Sequence, residues 1–198
     1  MKHPLRLGVL GSGKGSNFRV IMEQINDGRL DAEVRIVISD VENAGILSLA
    51  RDFQIPGLYV RPGGFRAKLE PEIEEDVVRL LHKASVELVV LAGFMRILKQ
   101  PMLRAFPGRI INIHPSLLPK FPGLEAWKQA LAAGETVTGC TVHYADAGVD
   151  TGKILAQKTV PILPDDTPER LHARIQTAEH ELLPAVLAEI AARFRGLE

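Results

Sequence analysis

An asparagine and a histidine two residues apart open a proline-rich turn in INIHPSLLPKFPG, Ile111 to Gly123. A side-chain amide beside an imidazole can donate to a developing oxyanion while the imidazole handles a proton. Asn112 and His114 share one face of a strand through Ile110–Ile113, because side chains alternate along a strand. Pro115, Pro119 and Pro122 stiffen the exit and are expected to hold the loop that frames such a site. Two carboxylates, Asp146 and Asp150 of DAGVDTG, are candidates to orient His114 and to stabilise its imidazolium. A loop aspartate is more often a plain turn former. A nearby carboxylate would raise the histidine pKa, leaving more His114 protonated at neutral pH.

A second kind of chemistry is offered by GSGKGSN, Gly11 to Asn17. Glycines let backbone approach a ligand, and a helix N-terminus presents free N–H groups and the positive end of a dipole. Ser16 or Asn17 is expected to cap that helix. Gly13 is taken as the glycine that needs close approach or a positive φ. Ser16 stands where the dinucleotide fingerprint requires glycine, and Gly15 replaces the metal-binding Ser/Thr of a P-loop. A phosphate or carboxylate cradle of another type is the expectation. His82 sits beside Lys83 on a helix, His143 is mid-strand, and His172 and His180 lie on the final helix without a ligand-spaced partner. With no H-E-x-x-H or C-x-x-C, a metal site is not expected.

These groups need elements to carry them. Apolar runs predict strands at Leu5–Leu10, Val34–Ser39, Gly57–Val60, Leu88–Ala92 and Ile110–Ile113. Helical patterns lie between them at Phe18–Asn26, Gly45–Phe53 and Glu72–Ala84. The alternation predicts an α/β fold, a mostly parallel doubly wound sheet with helices on both faces. After Gly123 a helix over Leu124–Ala133, closed by Gly134, leads to two β-rich runs, TVTGCTVHYA and KILAQKTVPI. Only a short turn-rich loop separates the two runs, which predicts an antiparallel extension at the C-terminal side. The last helix, Pro168–Arg195, carries Leu171, Ile175, Ala178, Leu182, Val186 and Ile190 on one stripe, with Pro184 expected to kink or divide it.

Composition bounds the function. The 198 residues fit one domain over 1–198, and 24 Lys+Arg against 24 Asp+Glu leave no global field for nucleic acid or an anionic membrane. The single cysteine, Cys140, cannot form an internal disulfide and fits a reducing, cytoplasmic setting. The N-terminal MKHPLRLGVLGSGKGSN does not read as a signal peptide, and no stretch reaches the roughly 18 apolar residues of a membrane span.

Taken in order, GSGKGSN, LAGFMRIL, INIHPSLLPKFPG, GCTVHYADAGVDTGKILAQ and RIQTAEHELLP resemble the phosphoribosylglycinamide formyltransferase family of folate-dependent enzymes in purine synthesis. HPSLLP alone is less specific, being shared with methionyl-tRNA formyltransferase and formyltetrahydrofolate deformylase. Those normally carry an added C-terminal or N-terminal domain, for which the chain is expected to have no room. The resemblance implies formyl transfer from 10-formyltetrahydrofolate, a cosubstrate, to the amine of glycinamide ribonucleotide, without a metal. It implies Asn112, His114 and Asp150 as the catalytic set, with Asp150 preferred over Asp146 because it precedes Thr151–Gly152. It places Ser12, Gly13, Lys14, Gly15, Ser16 and Asn17 around the substrate phosphate and Glu179 on the ribose. Folate would lie along Met95, Arg96, Ile97 and Leu98, with Arg66 and Asn112 nearby. Lys14 in the loop and Lys153 after Thr151–Gly152 depart from the family pattern. The runner-up is a deformylase-like hydrolase, in which water replaces the amine. A non-catalytic nucleotide-binding module would explain GSGKGSN but not Asn112, His114 and Asp150. Monomer and homodimer both remain open.

Overall fold

The computed structural model describes residues 3–196, so the outermost residues of the span 1–198 and the first two of the N-terminal stretch lie outside the described residues. Seven strands form one sheet in the order β3-β2-β1-β4-β5-β6-β7. β1 (Leu5–Leu10), β2 (Ala32–Ser39), β3 (Gly57–Tyr59), β4 (Leu88–Leu91) and β5 (Ile110–His114) run parallel. β6 (Val137–Tyr144) and β7 (Ile154–Pro161) continue the sheet antiparallel. β2 begins earlier than its apolar run because Ala32 and Glu33 pair with Leu5 and Arg6 of β1.

Two apolar clusters cover the faces. One joins Leu7, Val9, Ile111, Ile113 and Val142 to α1 (Ser16–Asn26), α2 (Gly45–Asp52) and α6 (Pro168–Arg195). The other joins Leu10, Ile38, Val89 and Ile110 to α3 (Pro71–Lys83) and α4 (Gln100–Ala105). The chain leaves β1 toward β2 on one side and returns from β3 to β4 on the other. The reversal falls between β1 and β4, where loops diverge and open a crevice at the carboxyl ends of the strands.

Three elements depart from the sequence reading. α4 is absent from it, because six residues give no period and the helix is held from outside: the Lys99 N–H at its N-cap donates to Glu74 Oε1 of α3 at 2.7 Å. α5 spans Ala126–Ala132 rather than starting at Leu124, since Glu125 adopts φ 53, which ends a helix; Gly134 does follow its C-cap with φ 68. α6 runs unbroken through Pro184, and its buried stripe passes from Leu171, Ile175 and Ala178 to Leu183, Val186, Leu187 and Ala191. Leu182 and Ile190 are only partly buried. Among the described residues no helix is long and apolar enough to cross a membrane.

Candidate active site

β5 ends on the crevice, and its Asn112 and His114 face away from the cluster that takes Ile111 and Ile113. The antiparallel register sets Asn112 opposite His143 and His114 opposite Thr141, so β6 supplies the side wall. The β6–β7 loop then turns back over the strand ends and lowers Asp150 between them. The Asp150 Oδ2 atom lies 3.3 Å from His114 Nδ1 and accepts the Gly123 N–H at 2.8 Å. Its Oδ1 accepts an Asn112 amide hydrogen at 3.3 Å and lies 3.5 Å from His143 Nε2. Asp150 has φ 55, a left-handed geometry that aspartate tolerates better than most residues. A Cβ on Gly152 would stand 1.7 Å from the Tyr144 carbonyl, so only glycine lets the returning chain pack this close.

Asp146, the other candidate, is an exposed turn residue: its carboxylate accepts the Gly148 N–H and the Thr151 hydroxyl. It makes no contact with His114. The turn reading holds for this aspartate, and geometry brings the other one to the imidazole.

His114 is 4% exposed and its Nε2 faces the Phe121 carbonyl at 2.9 Å. With acceptors at both ring nitrogens, either neutral tautomer leaves one lone pair against an oxygen, and only the imidazolium satisfies both. Burial opposes this and is the larger influence, pushing His114 below its ordinary pKa, while Asp150 and the Phe121 carbonyl push it up and His143 pushes it down. This corrects the expectation of a raised value: the neighbouring charge acts in the expected direction, but desolvation outweighs it. Burial alone would raise the Asp150 carboxyl; the neighbouring His143 and His114 rings and the Gly123 N–H hold it below the usual range.

His143 is the residue that sequence reading set aside. Its Nδ1 faces the Tyr144 carbonyl at 2.9 Å, which fixes the proton there and leaves Nε2 to accept the second Asn112 amide hydrogen at 3.1 Å. Both Asn112 N–H groups are therefore turned inward. Only the β5–β6 register could have revealed this, and a mid-strand histidine has no local signature of it.

The proline-rich loop is held by more than its prolines. The Thr141 hydroxyl donates to the Ser116 carbonyl and accepts the Leu118 N–H, and the Gln157 amide donates to the Leu118 carbonyl. The Ser116 hydroxyl in turn donates to the Lys120 carbonyl at 2.6 Å and lies 3.3 Å from the Phe121 carbonyl that faces His114.

Across the crevice, the Gly11–Asn17 turn feeds α1. Gly15, with φ 80, is the N-cap, and neither Ser16 nor Asn17 caps the helix. The left-handed residue is thus Gly15 rather than Gly13, and a Cβ on Gly15 would press on the Ile46 backbone at 2.9 Å. A Cβ on Gly13 would meet nothing within 4 Å, and Gly13 and Lys14 are exposed. The first-turn N–H groups of α1 have no intrahelical acceptors and face this opening. The Ser12 hydroxyl is already engaged, donating to Asp40 and accepting the Met95 N–H.

Asn17 in that first turn donates to Glu179 Oε2 of α6 at 2.9 Å, both residues being buried. Burial pushes the Glu179 carboxyl up to about 7, with the Asn17 hydrogen bond pulling down. Its stabilising contribution is complete below the ordinary carboxyl pKa of 4.5 and is lost as pH rises toward about 7. Glu179→Gln is therefore expected to leave stability nearly unchanged at about pH 4 and to raise it by roughly 1–3 kcal/mol above about pH 7, read by denaturant unfolding. Equal effects at both pH values would contradict this.

The third expected group is spread out. Met95 is exposed, Leu98 is buried in the second cluster, and the Ile97 N–H donates to the Ala67 carbonyl. Arg66 is exposed, while the Arg96 side chain is drawn inward to Asp40. Among the described residues no group of three or more His, Cys, Asp and Glu side chains is arranged to hold a metal ion.

An open α/β sheet with an Asn-x-His strand end, a facing aspartate and a glycine-rich helix start defines the class. The formyl transferase family model matches residues 5–187, and the chain belongs to that family. Among curated relatives, the phosphoribosylglycinamide formyltransferase of Bacillus subtilis is 40% identical over 93% of this chain and 94% of its own length. The trifunctional purine biosynthetic protein adenosine-3 of Drosophila pseudoobscura is 49% identical over 94% of this chain, which spans only 14% of that protein. The crystal structure of glycinamide ribonucleotide transformylase 1 from Symbiobacterium toebii superposes with a TM-score of 0.92 at 44% identity, covering 96% of this chain and 89% of that one.

Proposed function

We propose that this chain transfers a formyl group from 10-formyltetrahydrofolate to the amine of glycinamide ribonucleotide. The observation that carries the reading is the meeting of Asn112, His114 and Asp150 at the end of β5, across the crevice from the α1 N-terminus. The relatives named for this activity support the choice of glycinamide ribonucleotide as the acceptor. The ribonucleotide phosphate lies against Gly13–Asn17, its ribose reaches Glu179, and the folate runs along Met95–Leu98 beside Arg66.

The amine nitrogen attacks the formyl carbon, and charge builds on the formyl oxygen. Asn112 and protonated His114 donate to that oxygen, His114 through its Nε2–H, which must leave the Phe121 carbonyl. For Asn112 to do so, one amide hydrogen must leave its inward acceptor, and the 3.3 Å bond to Asp150 is the longer of the two. The carbon–N10 bond then breaks, the nitrogen proton passes to N10 through water, and tetrahydrofolate leaves. Asp150 steadies the imidazolium during charge build-up.

Absorbance of the tetrahydrofolate product, followed with and without glycinamide ribonucleotide, tests the reading. Dependence on the ribonucleotide is expected; equal rates with water alone would make the chain a deformylase. The phosphate loop gives a second test. Gly13→Ala is expected to keep stability within about 0.5 kcal/mol and to raise the ribonucleotide KM, with folate affinity kept. Gly15→Ala is expected to cost about 1–3 kcal/mol of stability, because it strains the backbone and strikes Ile46. Loss of folate binding in Gly13→Ala, with ribonucleotide binding intact, would show that the loop holds the other ligand.

A further inference from the structure

One buried carboxylate has no part in the chemistry above. Asp40 follows β2, and its side chain is 2% exposed. Its Oδ1 accepts the Ser12 hydroxyl at 2.5 Å and its Oδ2 accepts Arg96 Nε at 2.7 Å. Both partners are committed further: the Ser12 oxygen accepts the Met95 N–H at 2.9 Å, and Arg96 Nη1 donates to the carbonyls of Phe65 at 2.9 Å and Arg66 at 2.5 Å. A single charge thus gathers the turns after β1, β3 and β4.

The backbone does not do this unaided. The β1–β4 register ends at Leu10 and Leu91, and the last main-chain link between the two loops is Ser12 N–H to the Gly93 carbonyl at 3.0 Å. Beyond that point the loops diverge, and the side chains of Ser12, Asp40 and Arg96 span the gap. A buried ion pair is a poor source of net stability but a strict geometric constraint, because neither partner can move without stranding the other.

We infer that Asp40 is a positioning residue that sets the separation between the Gly11–Asn17 turn and the Met95–Leu98 segment. The identity of the two ligands rests on the function proposed above; the coupling of the two loops does not. If each loop carries one reactant, Asp40 controls the approach of amine to formyl carbon, and a displacement of about 1 Å costs on the order of 100-fold in rate.

Asp40→Asn keeps the shape and removes the charge. It is expected to lower kcat by about 10- to 100-fold while each substrate KM stays within about 3-fold. Ser12→Ala cuts the same link from its exposed side and is expected to lower kcat less. The double variant should be no slower than Asp40→Asn alone, as for two residues acting through one contact. In parallel, amide hydrogen exchange on the unliganded protein should rise at 12–15 and 94–98 together in Asp40→Asn, with the central strands unchanged. A fall in Tm with kcat preserved, exchange rising in only one loop, or exchange rising throughout the sheet would overturn the assignment. Should the parent protein show no formyl transfer, the proposed function falls, and the exchange measurement still decides on Asp40.

Discussion

Asp150→Asn is expected to lower kcat on the order of 1000-fold, between the effect of removing one oxyanion donor and that of neutralising a triad carboxylate. The substitution keeps size, and asparagine tolerates the left-handed backbone of this position, so the loop should stay in place. What disappears is the negative charge 3.3 Å from His114 Nδ1. The ribonucleotide KM should change little, marking an interaction made chiefly in the transition state. The pH dependence has a definite sign. Asp150 is what holds the His114 pKa up against burial, so its neutralisation lowers that pKa further. Where activity falls with rising pH as the imidazolium is lost, that limb of the kcat profile should move to lower pH. Asp146→Asn, at an exposed turn, should be mild by comparison. A crippling Asp146→Asn beside a mild Asp150→Asn would reverse the assignment.

Asn112→Ala is expected to cost about 100- to 1000-fold in kcat, the usual loss for one oxyanion donor. It also leaves His143 Nε2 without the amide hydrogen it accepts and removes one of the hydrogen bonds to Asp150. Ribonucleotide KM should again be nearly kept, since Asn112 lies across the crevice from the α1 N-terminus. A raised KM with kcat preserved would make Asn112 a binding residue and leave the oxyanion to His114.

Much of this architecture is written locally. β1, β2, β4 and β5 are buried over most of their length, so their apolar runs are nearly continuous and their positions follow within a residue or two. Gly134 marks its helix end because a positive φ there favours glycine. The pairing of Asn112 with His114 is legible because strand alternation needs no knowledge of neighbours. His143 was not, since its role depends on which residue of β5 it opposes, and register is a property of two strands. The same holds for α4, whose N-terminus is satisfied by Glu74 from 25 residues away. Asp40 reads as a loop residue of no particular interest, and Ser12 only as part of a phosphate loop, until the crevice brings Arg96 and Met95 to them. The direction of the His114 shift was missed for a related reason: sequence names the neighbouring charge but not the depth of burial.

The hairpin that lowers Asp150 onto His114 has a consequence for how the protein becomes functional. The glycine turn, the Met95–Leu98 segment and the Asn-x-His strand end are all contained in the first 123 residues, on the parallel strands and their crossovers. The negative charge arrives 36 residues after His114, carried by two antiparallel strands that must first add themselves to the edge of β5. A folding species that has assembled the parallel layer without that edge has surfaces for ligands and no charge to act on them. Chemical competence therefore requires the β6–β7 hairpin in place, the same docking that makes the Thr141 and Gln157 bonds to the proline-rich loop.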